Sequence, residues 1–139
     1  MARRPWRQFE VRYSGTCEIK IGNRTAQARY DVGLVETGKQ RVFAGVEVRI
    51  MNPAGGLWIG HDDWSPLEAL RVASKSAQAD GVKLMCSGLS LFFFQTGLSW
   101  QTPYGYYPWS TEPVLMMDPP EAPMDGSENS PSVRNNTIN

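Results

Sequence analysis

From Trp6 to Ile50 the chain repeats one unit: a short run of alternating apolar and polar residues, then a breaker of a few residues. Trp6 to Tyr13 places Phe9, Val11 and Tyr13 on one face, and Thr16 to Ile21 does the same with Cys17, Ile19 and Ile21. Ala26 to Leu34 follows with Ala26, Ala28 and Tyr30, and Val42 to Ile50 with Val42, Ala44, Val46, Val48 and Ile50. The breakers are Ser14-Gly15, Gly22-Asn23 and Glu36-Thr37-Gly38-Lys39, none long enough for a crossover helix. Successive strands must therefore run antiparallel, and the spacing predicts a four-strand meander. Glu47 and Arg49 lie opposite the apolar face of the last strand, where a solvated sheet surface is expected.

Met51 to Asp63 reads as a loop in which Leu57, Trp58 and Ile59 form a brief edge strand or plug the core. A helix start follows: Ser65 as N-cap, Pro66 at the first helical position and Glu68 at the third, with Trp64 and Ala69 placed to staple the entrance. Leu67, Leu70, Ala73, Ala77 and Leu84 lie along one stripe, Gly81 weakens the second half, and Ser87-Gly88 is the predicted end. Leu89 to Gln95 then reads as a fifth strand, covered on both faces because Phe93 points one way and Phe92 and Phe94 the other. The expected fold is α+β: a mainly antiparallel sheet of about five strands with one principal helix packed on it.

At 139 residues the chain has room for one domain, assigned to residues 1–116. Residues 117–139 are proline-rich and polar, without aromatic residues or periodicity, and are expected to form a disordered acidic tail. The formal net charge is +0, yet residues 112–139 carry five acids against Arg134. The body is mildly basic in compensation. No segment approaches the run of about 18 apolar residues a membrane helix needs, and no apolar core follows the basic N-terminus, so a cytoplasmic protein is expected. Cys17 and Cys86 lack a CxxC pattern. One disulfide is geometrically possible, but isolated cysteines in a chain without an export signal are more often buried thiols.

The most chemical-looking triplet is His61-Asp62-Asp63, because imidazole and carboxylates can bind a metal or exchange protons. His61 is the single histidine, and neither HxH nor HExxH accompanies it, so no metal, cofactor or catalytic residue is assigned. A helix start is itself reason enough for Asp62 and Asp63. Eight of the fifteen aromatic residues lie between Phe92 and Trp109. Trp100, Tyr104, Tyr106, Tyr107 and Trp109 form the expected protein-contact loop, joined by Asp62 and Asp63, and the rival role for each ring is closing the core. That loop contains no lysine or arginine, which argues against nucleic acid and for a protein partner, a second copy included.

Trp64, Ser65, Pro66, Glu68, Ala69 and Leu70, followed by an alanine-rich helix and by Tyr104, Gly105, Tyr106 and Pro108, set an order of parts that resembles small bacterial proteins of the toxin-immunity type. The resemblance spans Trp6 to Trp109 and implies a non-enzymatic protein that binds and neutralises a cognate toxin, with no catalytic residues to carry over. A generic assembly or adaptor module is the alternative, and a small hydrolase using His61-Asp62-Asp63 is a third reading.

Overall fold

A computed structural model describes residues 7–97, 101–122 and 124. The expected α+β architecture is present. Strands β1 (Arg7–Ile21), β2 (Arg24–Thr37), β3 (Val42–Met51) and β4 (Leu57–Asp62) form an antiparallel meander, followed by helix α1 (Pro66–Ala79) and strand β5 (Val82–Met85). The sheet order is β4-β3-β2-β1-β5. After β4 the chain therefore crosses one face of the sheet through α1 and lays β5 along the free edge of β1.

Several sequence expectations shift. Ser14-Gly15 is no turn, because β1 runs through it and pairs with β2 from Arg7↔Thr37 to Ile21↔Arg24. Gly15 is instead the site of a close approach: a Cβ there would lie 3.0 Å from the Tyr30 hydroxyl. Leu57, Trp58 and Ile59 belong to the edge strand β4, with Trp58 buried and its indole N–H donating to Asp80 Oδ2 at 2.8 Å. The register slips between Val11 and Tyr13 and between Leu34 and Glu36 bend and twist the long strands.

The helix starts where its cap signals place it: the Ser65 hydroxyl accepts from the Glu68 amide at 3.2 Å, with Pro66 in the first turn. It ends eight residues earlier than Ser87, because Gly81 takes φ 76 and its amide reaches the Gln78 carbonyl at 2.9 Å, closing the last turn. Leu84 thus belongs to β5 and not to the helical stripe. Leu67, Ala69, Leu70, Ala73 and Ala77 are buried against the sheet. The approach is so close at Gly60 that a Cβ would fall 1.8 Å from the Ala69 carbonyl oxygen. Small residues on both elements allow that contact.

The predicted strand over Leu89 to Gln95 is not formed. Ser87–Leu89 makes a 3-10 turn, and the segment's single ladder contact is the Phe94↔Tyr106 bridge. A two-strand ribbon of β6 (Tyr104–Gly105) and β7 (Val114–Leu115) completes the fold. The expected boundary between residues 116 and 117 falls inside a packed segment, since Met116, Met117 and Met124 are all buried. Backbone bonds hold this segment as well: the Ser87 amide donates to the Asp118 carbonyl at 2.7 Å, and the Gly88 amide to the Met116 carbonyl at 2.9 Å. Methionine fills irregular gaps without any periodic pattern, which is why the tail composition concealed it. Among the described residues no helix is long and apolar enough to cross a membrane.

Candidate functional site

The segment after β5 sorts its aromatic rings only partly as the sequence suggests. Phe93 is buried, seated over Gly105, where a Cβ would come within 2.4 Å of the ring. Its chain neighbours Phe92 and Phe94 point outward, each 45% exposed, and Leu91 is 57% exposed. Tyr107, expected at the contact surface, is instead a core residue at 1%. Its ring meets Phe93 edge-on at 5.8 Å. Its hydroxyl donates to Ser87 Oγ at 2.8 Å and accepts from the Glu121 amide at 3.0 Å, so the phenol ties the end of the chain to the turn after β5.

Trp109 stays at the surface, 52% exposed, stacked flat on Tyr107 at 4.9 Å. Its indole N–H donates to Glu121 Oε1 at 3.0 Å, and its ring lies 6.2 Å from Phe92. Tyr106 is half-buried, 6.1 Å from Phe94. Leu91, Phe92, Phe94, Tyr106 and Trp109 thus form the accessible apolar side of this segment, supported from beneath by Phe93 and Tyr107. Tyr104 belongs elsewhere, half-buried and edge-on to Tyr13 at 6.1 Å. Trp100 lies outside the described residues.

Asp62 and Asp63 find their partners at the entrance to the helix. Asp62 Oδ2 accepts from the Ser65 amide at 2.7 Å and the Trp64 amide at 3.0 Å, and these bonds, Ser65 first, hold its carboxyl below the usual range. It is a capping group for the helix entrance. Asp63 is exposed and sits 3.8 Å from His61 Nε2.

His61 faces away from Asp62, as alternation along β4 requires, and meets a residue that was expected to be solvated. Glu47, directly opposite it in register, is 0% exposed. Its carboxylate pairs with Arg7, accepts from Arg49 Nε at 3.0 Å and lies 3.9 Å from His61 Nδ1. The Arg49 guanidinium lies 3.9 Å above the Phe9 ring. Gly45, at φ 118, makes room for the imidazole, because a Cβ there would lie 2.6 Å from His61 Cε1. Two guanidinium groups already engage Glu47, so its oxygens are committed to structure. The thiols Cys17 and Cys86 face the helix, on the other side of the sheet. Among the described residues no three His, Cys, Asp or Glu side chains converge in a geometry able to hold a metal ion.

What the fold and surface define is a class by architecture: an α+β protein with a crossover helix and an outward-facing aromatic segment. No known protein family, characterised protein or solved structure matches the chain.

Proposed function

We propose that the protein is a non-enzymatic binding module that docks another protein through Leu91, Phe92, Phe94, Tyr106 and Trp109. The observation that carries this reading is the outward orientation of these side chains on a segment fastened to the core by Phe93 and Tyr107. A large aromatic surface already held in place loses little entropy when covered. From Leu84 to Val133 the chain has no lysine, arginine or histidine, while Glu112, Asp118 and Glu121 accompany the aromatic segment. A protein with an apolar contact face and a basic rim suits that distribution, and nucleic acid does not.

The resemblance to toxin-immunity proteins makes a bacterial toxin the specific partner we favour. Co-expression with the protein encoded by the adjacent gene tests it: a stoichiometric complex is expected, and Phe92→Asp with Trp109→Ala should abolish it while leaving the fold intact. A complex that survives both substitutions, or no complex at all, overturns this partner and this surface.

A further inference from the structure

The β1–β5 ladder runs from Ile21↔Val82 to Glu18↔Met85. Cys86 follows β5 directly with extended backbone, φ -127 and ψ 142, so continuing the register by one rung brings Cys17 and Cys86 opposite one another. Both side chains face the helix and both are buried, at 1% and 0%. Residues opposite one another on antiparallel strands have Cα atoms roughly 4.5–5.5 Å apart, inside the roughly 4.4–6.8 Å range of disulfides. The thiols interact directly. The hydrogen bond from Cys86 holds Cys17 below its ordinary value against the opposing effect of burial, and the same bond together with burial pushes Cys86 well up.

We propose that Cys17 and Cys86 are a redox pair that closes to a cross-strand disulfide by exchange with a low-molecular-weight disulfide, clamping the C-terminal segment to β1. The Cys17 thiolate attacks one sulfur of the small disulfide and releases the first small thiolate. Cys86 then attacks the Cys17 sulfur and releases the second. The two cysteines lose two electrons, the small disulfide gains them, and the two cysteine protons leave with the two small thiols. The bond falls beside the shortest ladder of the five-strand sheet, since β5 is an edge strand of four residues joined to β1 by four pairs. Directly beyond it, Ser87 and Gly88 carry the backbone bonds that hold Met116 and Asp118. Burial keeps the closed pair from casual reduction and makes closure slow once the chain has folded.

The full chain, unfolded in urea and refolded with oxidised glutathione, tests this without requiring access to the buried thiols. Expected are a monomer lighter by two hydrogen atoms, a linked peptide pair containing Cys17 and Cys86, and a Tm higher by on the order of 10 °C that dithiothreitol reverses. Cys17→Ser and Cys86→Ser should each lose the reductant-sensitive shift, with Cys17→Ala and Cys86→Ala as substitutes where serine prevents folding. Glutathione adducts on both cysteines, two free thiols, or a linked chain with unchanged or lower Tm would each overturn the proposal. The disulfide stands or falls independently of whether the aromatic surface binds a protein.

Discussion

Along β2 and β3 the side of the strand a residue occupies largely decides whether it joins the main apolar core: Ala28, Tyr30, Val32, Val46, Val48 and Ile50 do, and the residues between them face away. After Met85 burial is decided one residue at a time, by which ring finds a gap and which polar group finds a partner. Phe93 is in and its two neighbours are out; Tyr107 is in because its hydroxyl is bonded twice, and Trp109 is out although its indole is bonded once. A repeating ladder makes burial a property of register, whereas an irregular segment makes it a property of individual contacts. Substitutions in the first region should therefore act through the whole helix–sheet contact, and those in the second should differ sharply between adjacent residues.

The largest effect is expected at Gly60, where any side chain collides with the helix backbone. Gly60→Val should cost about 4 kcal/mol or more, measured by urea denaturation with circular dichroism, because neither β4 nor α1 can yield without breaking its own hydrogen bonds. A loss below about 1 kcal/mol would show that the helix is free to lift from the sheet.

Next comes the three-phenylalanine series. Phe93→Ala should destabilise by about 3–5 kcal/mol as a buried aromatic is removed. Phe92→Ala and Phe94→Ala should each cost under about 1 kcal/mol, since both rings are nearly half exposed. Equal losses at all three positions would mean that the segment is covered on both sides, as a central strand would be.

The antiparallel pairing, the helix cap and the α+β architecture were legible because each follows from short-range pattern: alternation, breakers too brief for a crossover, and Ser65-Pro66 with Glu68; the expected first turn at Ser14-Gly15 lies inside β1. Three things were not legible. Gly81 ends the helix through its positive φ, a backbone choice that Ala77 and Leu84 on the apparent stripe disguised. Glu47 reads as a solvated residue by periodicity, and it is buried because Arg7 comes from forty residues away in sequence to neutralise it. The contact candidates were half legible: alternation separated Phe93 from Phe92 and Phe94 correctly, but nothing local revealed that only one of those faces is covered. Tyr107 was misassigned because its burial depends on Ser87 and Glu121, partners that no nearby pattern announces.

Tyr107→Phe isolates that long-range tie. It keeps the ring and removes the hydroxyl, leaving Ser87 Oγ and the Glu121 amide without that partner. A loss of about 1–3 kcal/mol is expected in denaturant titration, together with faster amide exchange across residues 116–122. An unchanged exchange pattern would show that methionine packing and the Ser87 and Gly88 backbone bonds hold the segment without the hydroxyl.

A small effect is expected at Asp62, and its sign with pH distinguishes capping from chemistry. The Ser65 and Trp64 amides depress its folded pKa, so its stabilising contribution is fully present above the unfolded value of about 3.9 and is lost as pH falls through the folded value. Because the carboxylate is partly exposed, solvent screening limits the effect, and Asp62→Ala should cost about 1 kcal/mol at neutral pH. The difference between wild type and Asp62→Ala should shrink toward the cost of the hydrogen bonds retained by the neutral acid as pH drops below about 4. A gap that instead widened on acidification would mean that the proton, and not the charge, is what Asp62 contributes, and the helix-capping role would have to be abandoned.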